Sequence, residues 1–409
     1  MLTRNRTLLL LLLAYIFNFV DRNIIGVLAV PIRTEFSLSD TALGSLGVAF
    51  GIVYAAAAVP VAWLADRRGR AGIIAAAVTV WSLFTAACGL VHSYAHLIAA
   101  RMGVAVGEAG GIAPSYALIS SHYPQSQRAR ALAIFSFGVP IGSALGIMFG
   151  GALAASLSWR LAFVVVGLAG LPVALLIGLF VRDARPAEAP PSATKALGAL
   201  AQTPSFWLLS LAAAAGSIPG YGLIFWLPSF FNRSFALPID QVGWFYGSIV
   251  LVGGLAGTWA GGWVGDRAGP SRPAAYALIP AFCFLTAVPL FALGMFAQSL
   301  PLAWLLFAIA QMLSLAWLGP VVSAVQMIVA PQLRATASAT FLFINNLVGI
   351  AGGTFALGWL SDAMKAARGV DSLRYSILYA LGFYLLSALI YLLAARRLSG
   401  DLKMNDREN

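Results

Sequence analysis

Charge is what this sequence lacks. Asp, Glu, Lys and Arg make up 10% of its 409 residues, against about 25% in a soluble globular protein. So few charges cannot coat a surface that faces water. A hydrophobic content of 60% fits instead a chain whose solvent is mostly lipid. Cysteine and histidine are nearly absent, with two and three residues. Cys88 and Cys283 both fall in apolar runs, are too few for a metal cluster and read as packing residues. His92, His96 and His122 sit at segment ends, as interfacial residues do. No H-E-x-x-H, G-x-S-x-G or P-loop pattern occurs. The chain is therefore expected to be no enzyme, to drive nothing by ATP on its own, and to need neither cofactor nor metal. Acidic residues are scarcer than basic ones, 14 against 25, for a net charge of +11. In a soluble protein that excess would suggest nucleic acid. Here the basic residues are scattered in short loops, with no basic helix and no interleaved aromatics, so nucleic acid is excluded as a partner and the charges report topology.

What the chain has in abundance is apolar runs of membrane-spanning length, about 20 residues each. Twelve can be marked, roughly 7–32, 41–64, 71–92, 95–119, 129–156, 160–181, 205–231, 241–264, 274–296, 302–328, 335–361 and 374–396. The opening "MLTRNRTLLLLLLAY" imitates a signal peptide. No small-x-small site follows it, and the apolar run continues past Asp21, so it reads as an uncleaved first span. Residues 183–204, rich in Pro and Ala, break the pattern and are read as a cytoplasmic linker between bundles 1–182 and 205–409.

The two halves repeat. "VAWLADRRGR" ends the second segment and "GGWVGDRAGP" the eighth, so that Asp66, Arg67 and Gly69 recur as Asp266, Arg267 and Gly269 at an offset of 200. "SLSD" and "LPID" place Asp40 and Asp240 at the same offset, where each suits a helix N-cap. "PQSQRARA" after the fourth segment is echoed by "PQLRATA" after the tenth. Three matches in the same order indicate duplication. An inside N-terminus puts 17 of the 25 basic residues on the cytoplasmic side and six on the other, which sets both termini inside.

Twelve spans in two halves with "LADRRGR" after the second resemble the major facilitator superfamily, whose signature loop reads approximately G-x-L-A-D-R-x-G-R. Ala62 replaces its first Gly and Gly262 keeps it in the second copy, which ends "GPSR" and loses the adjacent basic residue. "NFVDRNIIGVLAVPIRTEFSLSDTALGSL", "RMGVAVGEAGG" and "RARALAIFSFGVPIGSALG" resemble more narrowly the Spinster branch, whose animal members export lysolipids and sphingoid phosphates. An anion:cation symporter branch handling sugar acids and other carboxylates shares a similar D-R and E-A-G. The resemblance implies an all-α fold of 12 transmembrane helices in two pseudo-symmetric six-helix bundles, integral and multi-pass in a bacterial inner or plasma membrane, acting as a monomer.

Four charges lie well inside the spans: Asp21 and Arg22 in the first, Arg101 and Glu108 in the fourth. The corresponding spans of the second half carry none. Facing lipid, each would cost about 2.5–3.5 kcal/mol on insertion scales, so they are expected to face the interior and find partners. Arg101 and Glu108 are seven apart, two turns along one face and too far to bond each other. Asp21 and Glu108 fall at similar depth. Two carboxylates with an Arg, opened alternately to the two sides, could take up and release a proton, so Asp21 and Glu108 are the candidates for proton coupling. Arg22 and Arg101 could hold an anionic headgroup. A static ion pair pinning two helices is the competing reading, and Arg22, pointing about 100° from Asp21, can pair elsewhere.

The second half offers neutral candidates for substrate: Tyr221, Gln311, Asn345 and Asn346, with Trp226, Trp317 and Phe341 as aromatic surface. One charged wall and one apolar wall would suit an amphipathic solute. Pro219 and Gly220 interrupt the seventh segment, as binding sites and bending points do in transporters. "FGVPIGSALGIMFGG" spaces Gly138, Gly142, Gly146 and Gly150 by four, a pattern of close packing. With Pro140 it resembles the Gly-Pro hinge of the superfamily's antiporters. Gly253, Gly257, Gly261 and Gly265 repeat the spacing in the eighth segment. By resemblance Asp66, Arg67, Gly69 and Arg70, with Asp266, Arg267 and Arg272, form an inner gate. The function expected is a proton-coupled secondary transporter moving a lysolipid-like or other anionic organic solute by alternating access. A carboxylate or sugar-acid symporter is the alternative within the superfamily. A transport-like receptor without coupled transport is the alternative of another class.

Overall fold

The computed structural model describes residues 2–183, 198, 200–269, 271–329 and 333–408, and for residues 2, 3, 66, 125, 126, 129, 335, 399 and 401–408 the backbone alone. Most of the expected linker lies outside the described residues. Those described are helical or in short connections, with no strand among them.

The first half runs α1 (Leu2–Val27), α2 (Ala29–Glu35), α3 (Asp40–Arg68), α4 (Arg70–Cys88), α5 (Tyr94–Ala109), α6 (Ile112–His122), α7 (Gln125–Ser136), α8 (Gly138–Ser156) and α9 (Trp159–Phe180). The second runs α10 (Pro204–Phe235), α11 (Ile239–Ala268), α12 (Ala275–Met295), α13 (Leu300–Leu315), α14 (Leu318–Met327) and α15 (Arg334–Asn346). A π-helical segment, Leu347–Gly352, leads on to α16 (Gly353–Arg368), α17 (Ser372–Ala380) and α18 (Gly382–Glu408).

Among the described residues, ten helical stretches are long and apolar enough to cross a membrane. The last, Thr336–Leu398, has 63 residues, about 95 Å at 1.5 Å per residue and room for two spans. The fourth expected span is not among the ten because Gly110 and Gly111 split it into α5 and α6. The tenth splits at Ala316 and Trp317, the corresponding place in the second half. The twelve expected spans are thus accommodated, and the duplication reappears as paired helix breaks. Asp40 does not cap α3. Ser39 is the N-cap, accepting from the Ala42 N–H, and the Asp40 carboxylate is left for other partners. Asp240 likewise lies in the first turn of α11 rather than before it. Pro219 and Gly220 do not interrupt their span: α10 is helical through both. Beside the hinge expected at Gly138, Pro140 and Gly142, α7 ends at Ser136 and α8 begins at Gly138, but Phe137 between them keeps helical φ and ψ and Arg130–Ser156 runs as one spanning stretch.

The chain clusters into two compact units. The first comprises Met1–Glu188, Ile224–Leu251 and Thr354–Val370, that is, the first six spans with the outward parts of α10, α11 and α16. Within it α8 packs on α1 through its glycines. A methyl added at Gly138 would meet the Tyr15 ring at 2.8 Å, and one at Gly146 the Val20 carbonyl oxygen at 2.6 Å. The second unit comprises Ala189–Leu223, Val252–Gly353 and Asp371–Asn409. In it Gly253, Gly257 and Gly261 set α11 directly against the backbone at Ala308, Met312 and Ala316. Small residues spaced by four serve the same purpose in both halves, which is close approach of backbones.

Candidate functional site

The first unit concentrates the intramembrane charges. Asp21, Arg22, Arg101 and Glu108 are all buried, Glu108 completely. Arg22 of α1 donates to Glu108 of α5 from Nε at 3.0 Å and from Nη2 at 2.5 Å, both to Oε2. The guanidinium also lies near the rings of Phe19, Phe50 and Tyr54, 5.1–5.4 Å from their centroids, a cation–π cage that holds its plane. Arg101 turns the other way. Its Nη1 donates to the Asp21 main-chain carbonyl at 3.3 Å, and it rests 5.1 Å from the Phe50 ring centroid. The Asp21 carboxylate lies within electrostatic reach of both Glu108 and Arg101. Asp21 Oδ1 and Glu108 Oε1 are buried with no hydrogen-bond partner among the described residues.

The sequence left the partner of Arg22 open and held Arg101 too far from Glu108 to bond it. Arg22 is the ion-pair partner, and Arg101 holds the backbone of the helix that carries Asp21. Two neighbours in the same stretch went unremarked in the sequence. Asn23 donates to the Phe19 carbonyl and to Ser143 Oγ of α8, both at 2.9 Å. Asn18, 1% exposed, has neither side-chain atom paired among the described residues. Amides spaced five apart on either side of an Asp-Arg pair were the available signal.

A second charge centre in the same unit has Asp40 as its hub. Arg233 of α10 grips it with two 2.7 Å bonds, Arg33 of α2 approaches at 3.3 Å, and Ser361 of α16 donates at 2.8 Å. Asp362 then accepts from the Asp40 and Thr41 N–H groups and the Thr41 hydroxyl, at 3.1, 2.7 and 2.6 Å. Four elements, α2, α3, α10 and α16, are tied at their outward ends. Trp226, expected as an aromatic cavity wall, is fully buried close by and donates from Nε1 to the Thr354 carbonyl at 2.8 Å.

The second unit gathers the remaining neutral candidates. Tyr221 donates its hydroxyl hydrogen to Asn346 Oδ1 at 2.7 Å, and Ser217 donates to the Asn345 carbonyl at 3.0 Å. Trp317 and Phe341 sit with centroids 6.3 Å apart, Phe341 fully buried. Gln311 is buried, and Asn345 Oδ1 lacks a partner among the described residues. The asparagines stand at the end of α15, immediately before the π-helical Leu347–Gly352. π-Helical turns concentrate at functional positions.

At the cytoplasmic ends, Arg67 stacks on Trp63 at 3.9 Å and Arg267 on Trp263 at 4.0 Å, the same i, i+4 pair in each half. Asp66 has its side chain outside the described residues. Asp266 and Arg272 are exposed, and neither forms an ion pair with a described residue. Gly69 has φ +101°, a conformation that favours glycine. Asp183 Oδ1 then accepts from the Arg70 and Ala71 N–H groups at 2.8 and 3.0 Å, capping α4.

The chain is similar to known proteins over nearly all its length. Residues 11–353 match the sequence profile of the Major Facilitator Superfamily. An MFS-type efflux pump of Mycolicibacterium smegmatis is 34% identical over 392 residues, 94% of this chain and 91% of that protein. Protein spinster homolog 1 of Homo sapiens is 29% identical over 390 residues, 88% of this chain and 73% of that one. A bacterial homolog of the human lysosomal transporter Spinster, solved inward-facing and unoccupied, has a TM-score of 0.87 at 31% identity, covering 98% of each chain.

Proposed function

Because the chain belongs to the major facilitator superfamily, on its Spinster branch, and is a multi-pass membrane transporter rather than an enzyme, we propose that its transport is coupled to protons and that it carries an amphipathic anionic solute, a lysolipid in the favoured case. The observation that carries this reading is the buried Arg22–Glu108 pair with the Asp21 carboxylate beside it.

The pair supplies a coupling logic. In low dielectric an unpaired charge is far more costly than a paired or neutral group. An anionic headgroup that takes Arg22 leaves the Glu108 carboxylate without its cation, and binding a proton removes that cost. Anion and proton are therefore favoured together. Arg22 supplies planar donors suited to phosphate or carboxylate. The names of the relatives, an efflux pump and Spinster homologues, support a transported organic solute.

The test is ligand binding by purified protein as a function of pH, read as thermal stabilisation by lysolipids, sphingoid phosphates and small carboxylates. Stabilisation by the preferred anion is expected to rise as pH falls. In Glu108→Gln, where Arg22 has no competing carboxylate, binding becomes independent of pH, and in Arg22→Gln it is lost. In reconstituted vesicles Asp21→Asn abolishes proton-driven uptake. Uptake unchanged in that variant, or pH-dependent binding unchanged in Glu108→Gln, would refute proton coupling through this cluster. A preference for small carboxylates over lysolipids would move the protein to the sugar-acid side of the superfamily.

A further inference from the structure

The second unit contains a groove that transport by the charged cluster does not use. It lies between α11, α12 and α13 and has a volume of about 530 Å³. Ala260, Val264 and Ala268 follow one another at i, i+4 and i+8 along α11. Leu278 and Phe282 face them from α12, and Leu313 from α13. Small side chains on one wall and long ones on the other make a concave apolar channel. Phe282 is 62% exposed, so the channel opens to the outside of the helix bundle.

Arg272, on the connection that leaves the cytoplasmic end of α11, is the groove's one charged lining residue. It forms no ion pair with a described residue. The neighbouring stripe of α11 carries Trp259, Trp263 and Arg267, one turn apart. The indoles are exposed with centroids 6.2 Å apart, and the guanidinium lies over Trp263. Asp266 is the nearby carboxylate; it faces Tyr276 and does not line the groove. Exposed indoles run beside the apolar wall, and Arg272 closes its cytoplasmic end, as a cation does at the headgroup level of a bilayer with hydrocarbon beyond it. The first half repeats Trp63 and Arg67 and has Arg70 two positions ahead of the site equivalent to Arg272, but Val59 stands where the second half has Trp259.

We propose that this groove is a binding site for an anionic phospholipid of the cytoplasmic leaflet, one acyl chain lying along α11 and the phosphate held by Arg272. The volume is that of a ligand pocket, and its one charged lining residue complements the phosphate. The lipid is a resident of the second unit and not the transported solute, and its binding requires neither a proton gradient nor the Arg22–Glu108 pair.

The test uses full-length protein, delipidated in detergent, and phosphatidylglycerol carrying a photoactivatable group in one acyl chain. Labelled positions are expected to fall in 274–283 and 312–316. Phosphatidylglycerol should displace the label at about fivefold lower concentration than phosphatidylcholine, the worth of one cation near a headgroup. Arg272→Gln should erase that fivefold preference, and Ala275→Trp, which fills the groove, should remove the label. Glu108→Gln should leave both unchanged, which separates this site from the transport reading. Label spread evenly over the lipid-facing helices in all variants would overturn the proposal. So would competition by inorganic phosphate as strong as that by phosphatidylglycerol, since that would make Arg272 an anion site without a lipid.

Discussion

Glu108 has no solvent exposure and accepts two hydrogen bonds from a single guanidinium through one oxygen, leaving Oε1 without a described partner. Breaking a buried ion pair by removing one partner costs about 3–5 kcal/mol, because it strands the other charge. Glu108→Gln and Arg22→Gln are therefore each expected to lower the unfolding midpoint in detergent, and the double variant to lose much less than their sum. Additive losses would show that the two side chains do not depend on each other. Asp21, whose carboxylate forms no ion pair within 4 Å with a described Arg, is the residue where coupling and folding are expected to separate, so Asp21→Asn should melt near the parent. Outside the membrane, Glu35 accepts from Trp159 Nε1 at 2.7 Å and pairs with Arg160. Partial burial pushes its carboxyl up, but the Trp159 and Arg160 hydrogen bonds and the Arg160 charge outweigh this and hold it below its ordinary value. A carboxyl lowered in the folded state stabilises above its unfolded value, and that stability is lost as pH falls through the folded one. Glu35→Gln should be slightly less stable than the parent at neutral pH, by no more than about 1 kcal/mol for so exposed a pair. The gap should close below the usual carboxylate range, as thermal melts at pH 7 and pH 3 would show.

Among the elements, α8 and α11 present the same device. Their glycines remove side chains where a neighbouring backbone passes, against α1 in one unit and α13 in the other. A methyl group at Gly257 would collide with the Met312 carbonyl, and neither backbone can move alone. Overpacking of this kind costs about 1–3 kcal/mol. Gly257→Ala is expected to lower the melting midpoint, whereas Gly262→Ala, which meets nothing within 4 Å, should leave it unchanged. The spacing of four announced these contacts in the sequence, since close packing was one of the two readings it allowed. The other reading, a hinge, is an expectation that the one-residue gap at Phe137 leaves open. Neither Pro219 nor Gly220 produces a break, because Pro can sit within a transmembrane helix when surrounding groups satisfy the freed carbonyl.

At the scale of the molecule, Asp40 ties the outward ends of α2, α3, α10 and α16 within one compact unit. In the alternating-access cycle expected of the chain, opening outward would have to release that tie. Asp40→Asn replaces a doubly gripped carboxylate by an amide and weakens charge-assisted bonds worth about 1.5–3 kcal/mol each. In a cysteine-free background with Leu43→Cys, buried one turn beyond Asp40, labelling from outside by an impermeant maleimide should become about tenfold faster when Asp40→Asn is added. That factor corresponds to a shift of 1.4 kcal/mol. An unchanged rate would mean that Asp40 is structural and not part of a gate. Read alone, "SLSD" suited an N-cap, because capping is a local matter and the partners Arg233 and Ser361 lie 193 and 321 residues away.

The sequence by itself determined the solvent, the span lengths and the duplication. Each follows from composition and short-range pattern: hydrocarbon thickness sets the run length, charge cost empties the spans, and a repeat shows as an offset of 200. It also determined that Asp21, Arg22, Arg101 and Glu108 need partners, because a lone charge in lipid is too costly to keep. Which partner each takes was decided only by the tertiary structure. Arg22 and Arg101 are the same residue type, both buried in the same unit. The difference lies in how α1 and α5 are rotated, with the Gly stripe setting α1 against α8 and Phe19, Phe50 and Tyr54 closing on one guanidinium. Ion pairing depends on a few ångströms and on angles around a helix axis, and packing over long sequence separations sets both.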